Sequence, residues 1–220
     1  MKVQAIIFDL DGVITDTSNL HYIAWKELAA DLGIAIDEQF NERLKGVSRM
    51  GSLERILQYG GQDHSYTTAE KEVLAAKKNT RYVELLQDLA PANVLPGVPA
   101  FLEECRKEGM KTALASASKN APFIIEKLAL CDQFDYIADA GKVVRSKPAP
   151  DIFLAAAEGL GIAPVRCLGI EDAAAGIQSI HAAGMKAVGI GEVKTLSEAD
   201  LLLSDTEKLD LLSILKFFEK

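Results

Sequence analysis

The sequence is short of cysteine and of positive charge, and each shortage excludes a class of protein. Cys105, Cys131 and Cys167 are three cysteines with no CxxC pair in 220 residues, so neither a disulfide framework nor a zinc knuckle is expected. Lys and Arg number 24 against 32 Asp and Glu, a formal charge of −8, which leaves no broad basic surface for nucleic acid. No apolar run reaches the ~18 residues of a membrane span. The opening MKVQAIIFDLDG meets Asp9 and Asp11 too soon for the neutral stretch of a secretion signal. A soluble, cytoplasmic protein with no membrane or nucleic-acid partner is expected. Nucleotide-binding fingerprints are missing too: Gly189-Ile-Gly191 lacks a third glycine, and no glycine-rich loop ends in Gly-Lys-Ser/Thr.

What is present suits a folded core, with 49% hydrophobic and 25% charged residues. Val3 to Phe8 is a compact β-favouring run that stops at Asp9, as a strand buried on both faces of a parallel sheet would. Similar runs at 111–115, 136–138, 167–170 and 186–190 alternate with helical patterns at 121–128, 152–160 and 174–183. That alternation predicts an α/β fold with an open parallel sheet covered by helices. About 100 residues separate the first strand from the second, and almost all read as helix. We therefore expect a helical domain at 16–92 inserted into an α/β core formed by 1–15 and 93–220. The insert's first helix runs from Thr17 to Leu32, with Leu20, Ala24, Leu28 and Leu32 as its apolar stripe and Asp16 or Thr17 as N-cap. A second precedes Gly46, a third follows Ser48, and a long one spans about Ala69 to Leu89.

Ligands of open parallel sheets gather at the carboxyl ends of the strands. Those positions hold Asp9, Asp11 and Gly12 after the first strand, and Ser116, Ala117, Ser118, Lys119 and Asn120 after the second. Lys147 precedes a helix, and Glu171 with Asp172 follows a later strand. Carboxylates brought together repel one another unless a hard cation joins them, and oxygen ligands of this kind suit Mg²⁺. Lys147, the Ser116 hydroxyl and backbone N–H groups after Ser118 would hold a phosphate beside it. The set predicts phosphoryl transfer, with an aspartate as nucleophile.

DLDGVITDT (9–17), ASASKN (115–120), SKPAPD (146–151) and IEDAAAG (170–176) resemble, in order, the four motifs of the haloacid dehalogenase-like phosphotransferases. The resemblance implies a Rossmann-like core in which Asp9 is nucleophile and metal ligand, and Asp11 is general acid and base with its carbonyl on the metal. It also implies that Ser116 and Lys147 bind the transferring phosphoryl group, while Glu171 and Asp172 complete the Mg²⁺ site. HYIAW (21–25) and LKGVSR (44–49) resemble the helical cap of the family's sugar-phosphate mutases. By that likeness Arg49, beside Gly46, grips the non-reacting phosphate together with Ala117, Ser118, Lys119 and Asn120. His21 and Lys78 position Asp11 and close over the sugar, and Thr17 lies at the hinge. The implied reaction interconverts β-D-glucose 1-phosphate and glucose 6-phosphate through an aspartyl phosphate and a bisphosphate, in a monomer acting on small sugar phosphates. The alternative is a sugar-phosphate phosphatase with the same core. Lys45, His64 and His181 read as ordinary solvated or packing residues, and Trp25 as packing within the cap.

Overall fold

Ala5–Phe8 carries four apolar residues in a row, and all four are buried as strand β1 at the centre of a sheet. The computed structural model describes residues 2–44 and 46–218; Lys45 lies outside them. Beside β1 run β2 (Lys111–Leu114), β3 (Tyr136–Ile137), β4 (Cys167–Glu171), β5 (Lys186–Ile190) and β6 (Leu201–Leu203). Every pairing is parallel, and the order is β3-β2-β1-β4-β5-β6. The open parallel sheet expected from the sequence is therefore present. Its order reverses at β1, which pairs β2 on one side and β4 on the other, so the crevice at their carboxyl ends is where the fold places a ligand.

Residues Met1–Asp16 and Ala90–Lys220 form one unit with this sheet, and Thr17–Leu89 forms another. On one face of the sheet Ile7, Ala113 and Ala187 pack with Phe153 of the helix Asp151–Leu160 and with Ile177 and Ile180 of the helix Ala174–Ala182. Where the chain leaves for the insert and returns, Thr15 pairs antiparallel with Val94. There the Thr15 hydroxyl donates to the Asn93 carbonyl at 2.8 Å and the Leu95 N–H donates to the Ile14 carbonyl at 2.9 Å. Three elements escape the sequence reading: the helix Val98–Lys107, β6, only three leucines long, and the C-terminal helix Leu211–Phe218.

The second unit is helical: Ser18–Asp31, Glu38–Asn41, Arg49–Tyr59 and Thr68–Leu85, named here αA, αB, αC and αD. Local chemistry sets their starts. Asp37 accepts from the Phe40 N–H, Ser48 from the Gly51 N–H, and Thr67 forms a reciprocal box with Glu70. Their inner faces bury Trp25, Leu28, Phe40, Leu53, Ile56 and Leu57 together.

Three details correct the sequence reading. αA buries Ala24, Trp25, Leu28 and Ala29, whereas Leu20 and Leu32 are only half-buried. A strict spacing of four drifts by about 40° per step at 3.6 residues per turn, so a stripe of four such positions winds off the core. Thr17 stands at the N-cap position but makes no capping bond with its side chain. αD ends at Leu85 and passes into a 3₁₀ turn at Leu86–Asp88 instead of continuing to Leu89.

Candidate active site

The end of β1 delivers Asp9 to the point where the sheet order reverses, and its N–H donates to the Ile170 carbonyl of β4 at 2.9 Å. Glu171, the last residue of β4, is fully buried beside it. Lys147 binds both carboxylates, with its Nζ 2.5 Å from Asp9 Oδ1 and 2.8 Å from Glu171 Oε2. It is itself buried, over the Phe153 ring at 5.0 Å. Burial alone would lower the Lys147 ammonium, but Asp9 and Glu171 outweigh it and hold the group above its ordinary pKa. The Glu171 carboxyl is driven well above the usual carboxylate range, first by burial, then by the neighbouring Asp9 charge, with Lys147 opposing and Asp172 adding.

Oxygen atoms of Asp9, Glu171 and Asp172 lie within 4.8 Å of one another. The donor set is all carboxylate and its members crowd, which is the chemistry that a hard divalent cation relieves. Two glycines make the crowding possible. A Cβ on Gly12, which sits at φ +75°, would meet Asp172 Oδ2 at 2.2 Å, and one on Gly176 would meet Glu171 Cδ at 2.0 Å. The residues present fit a bound cation.

Beyond β2 the chain makes two successive side-chain turns. The buried Ser116 Oγ accepts from the Ser118 N–H at 3.1 Å, and Ser118 Oγ accepts from the Asn120 N–H at 3.2 Å. Using its lone pairs this way, the Ser116 hydroxyl keeps its proton available to donate. Ala117, Ser118 and Asn120 are half-buried here, and Lys119 is exposed. Asp11 is half-buried and bridges to Thr15, where the Gly12 N–H donates to the Thr15 carbonyl at 2.7 Å.

Within the helical unit, the remaining candidates form a separate cluster. The fully buried Thr17 hydroxyl lies 2.7 Å from the Tyr82 hydroxyl. His21 stacks on the Tyr82 ring at 3.9 Å, and its Nδ1 is 2.6 Å from Lys78 Nζ. Lys78 lies 4.7 Å from the centre of the Trp25 ring and 4.5 Å from that of Tyr82. Burial, then the charges of Lys78 and Arg49, hold the His21 imidazolium pKa well below its ordinary value. Arg49 opens αC behind the Ser48 cap and is half-buried; burial lowers its guanidinium, and Tyr82 opposes. Among the described residues Arg49 forms no ion pair with a carboxylate. Gly46 takes φ +69° in the turn ahead of it, a backbone that glycine adopts readily.

Residues 3–184 match the family model for haloacid dehalogenase-like hydrolase. The chain belongs to that family. It is 47% identical over 209 residues to a β-phosphoglucomutase of Bacillus subtilis, covering 95% of this chain and 92% of the relative. A crystal structure of a β-phosphoglucomutase from Clostridium difficile superposes with a TM-score of 0.97 at 46% identity, over 99% of this chain and 97% of that one. A fructose-1-phosphate phosphatase of Escherichia coli is more distant, 32% identical over 86% of this chain and 97% of the relative.

In this haloacid dehalogenase-like chain, the strand-end residues Asp9, Glu171 and Asp172 are gathered with Lys147 in the core unit, and Ser116 stands just beyond the neighbouring strand β2. Thr17, His21 and Lys78 are gathered in the helical one. Gly12 was already among the strand-end residues, but two further residues packed into these clusters were not singled out. Gly176 stands inside a quoted motif, so its signal was present. Tyr82 sits among charged residues of αD, where nothing in the local pattern marks it. His64 is exposed beside Asp63 and His181 pairs with Asp200, and Trp25 packs inside the helical cluster.

Proposed function

We propose that this chain is a β-phosphoglucomutase, interconverting β-D-glucose 1-phosphate and D-glucose 6-phosphate. The observation that carries this reading over simple hydrolysis is the 47% identity to the Bacillus mutase, against 32% to the phosphatase.

In the reaction as we propose it, the aspartyl phosphate on Asp9 passes its phosphoryl group to the C6 hydroxyl of β-glucose 1-phosphate, with Asp11 taking the hydroxyl proton, and the resulting bisphosphate turns round. The freed Asp9 carboxylate then attacks the phosphorus at C1, the P–O bond to the sugar breaks, Asp11 returns the proton to the leaving oxygen, and glucose 6-phosphate departs with the aspartyl phosphate regenerated. Lys147 and the Ser116 hydroxyl donate to the phosphoryl oxygens and spread their charge. Asp9, Glu171, Asp172 and the Asp11 carbonyl are the proposed holders of Mg²⁺, which when bound would neutralise charge on the transferring group. Arg49 takes the remote phosphate with Ser118, Lys119 and Asn120, beside Gly46 and Ala117, and the half-buried, carboxylate-free state of Arg49 suits that task. His21 and Lys78 position Asp11, and Thr17 serves as the hinge of the helical unit, which acts as a cap on the α/β core.

The same proposal makes the protein a cytoplasmic monomer. Among the described residues no helix is long and apolar enough to cross a membrane.

A coupled assay of β-glucose 1-phosphate conversion, primed with glucose 1,6-bisphosphate, tests the reading. Glucose 6-phosphate should accumulate in step with substrate loss, and Asp11→Asn should slow it ~10²–10⁴-fold. Release of inorganic phosphate at the rate of substrate loss, without glucose 6-phosphate, would replace the mutase by a phosphatase.

A further inference from the structure

Tyr82 is fully buried and is used at both of its ends. Its hydroxyl meets Thr17, the residue just ahead of αA, across 65 positions of sequence, and its ring lies flat against His21 in the first turn of the same helix. Lys78 is one turn before Tyr82 on αD, and its ammonium sits against the Tyr82 and Trp25 rings while reaching His21 Nδ1. An ammonium has three hydrogens and no lone pair, and contact with two ring faces favours that charged form. The His21 nitrogen facing it must therefore carry no proton, which leaves the ring proton on Nε2.

We infer that Tyr82 is a positioning residue, one that holds the start of αA against αD so that His21 is presented as a neutral imidazole protonated on Nε2. The inference rests on the mutase reading for its kinetic consequence but not for its structural content. A ring stacked on Tyr82 and anchored through Nδ1 cannot turn over, so the Nε2–H points in one direction as a fixed donor. The groups facing His21 are Lys78 and Tyr82 from αD and Arg49 from αC. The two cations oppose protonation of the ring, and burial does so more strongly still. Without the Tyr82 hydroxyl, Thr17 loses one buried hydrogen bond and the start of αA loses one of its ties to αD, leaving the His21–Lys78 contact. Without the ring, His21 loses its stacking surface and Lys78 one of its two faces.

The experiment is imidazole ¹⁵N spectroscopy on the full-length enzyme, together with steady-state kinetics of Tyr82→Phe, Tyr82→Leu and His21→Asn. In the wild type, the His21 shifts should report Nε2 protonated and Nδ1 bare at pH 7 and still so at pH values below the ordinary titration midpoint of histidine, about 6.5. Tyr82→Phe keeps the stack and loses one hydrogen bond, so kcat for the mutase reaction should fall about three- to tenfold while KM moves less than about twofold. Tyr82→Leu should in addition move the His21 nitrogens toward the averaged shifts of a ring that exchanges tautomers. A wild-type His21 that is protonated on Nδ1, or doubly protonated at pH 7, overturns the inference. So does a Tyr82→Phe enzyme with wild-type kcat when His21→Asn is slowed. If the wild type converts no β-glucose 1-phosphate at all, the mutase reading fails, and the nitrogen shifts still decide for or against the role of Tyr82.

Discussion

Lys147 in the core and Lys78 in the helical unit are both buried, at 4% and 2% exposure, yet the two units shelter them differently. Lys147 is met by two carboxylates, Asp9 and Glu171, and its charge is held by direct ion pairs. Lys78 is met by the faces of Trp25 and Tyr82 and by the neutral nitrogen of His21. A pair of full charges attracts strongly at low dielectric but leaves a costly orphan when one partner is lost. Ring quadrupoles and a neutral acceptor hold a cation less tightly, and suit groups whose job is to orient one another. The contrast fits the proposed division, with the chemistry in the core and the positioning in the helices.

The hardest blow to that division comes from Asp9→Asn. The amide fits the space but cannot act as nucleophile, so mutase turnover should fall at least ~10³-fold. Thermal unfolding should show that the fold persists, because Lys147 keeps Glu171. Substantial turnover in this variant would remove the core from the chemistry.

Next in size is Gly176→Ala, a test by sign. In an exposed helix this change stabilises by up to about 1 kcal/mol. Here the new methyl group falls 2.0 Å from Glu171 Cδ, so we expect a loss of about 1–3 kcal/mol from overpacking and a higher Mg²⁺ requirement for activity. Denaturant unfolding and a magnesium titration measure the two effects. Stabilisation would mean that the Glu171 carboxyl is free to move aside.

Arg49→Ala probes the helical side. A charge-assisted contact of ~1.5–3 kcal/mol is lost, so mutase turnover should drop by about tenfold or more. Phosphorylation by acetyl phosphate, which has no second phosphate, should change much less. Equal losses in both reactions would make Arg49 a structural residue.

The smallest effect is on stability against pH. The His21 pKa is lowered in the folded state, so below the ordinary value of about 6.5 the unfolded chain takes up a proton that the folded one refuses. Stability contributed by neutral His21 is complete above that pH and declines as pH falls from about 7 toward 5. Denaturant midpoints measured across this range should slope for the wild type and flatten in His21→Asn. The depressed Asp200 carboxyl, where burial is outweighed by Lys186 and the Ala187 N–H, loses its contribution only below about pH 4, which keeps the two windows apart.

Much of the core site could be read in advance because it lies on local grammar. An apolar run that ends in an acid marks the carboxyl end of a buried strand, and two such ends carried Asp9 and Glu171 into a short list, while Ser116 followed a strand without an acid and Lys147 was picked out ahead of a helix. The helix start after Ser48 was equally local, since a capping oxygen acts within three residues. The apolar stripe of αA was misplaced because a spacing of four mimics helical periodicity without matching it. β6 and the C-terminal helix went unread because three leucines, or eight residues after Asp210, carry too little pattern to separate strand from helix.

By itself, then, the order of residues determined which side chains end the strands, that the sheet would be parallel, and that a helical segment interrupts it. Only the tertiary structure decided which lysine of the pair Lys77 and Lys78 is buried. Lys77 reaches out to Asp31 at 2.8 Å, while Lys78 turns inward to His21, 57 positions away in sequence. It also decided that Thr17 would bond Tyr82 instead of capping its own helix, and that Gly12 and Gly176 would leave room for two carboxylates. Each depends on groups from distant segments meeting at a few ångströms. Hydrophobic pattern records how each segment turns its faces, but not which side chains those faces will meet.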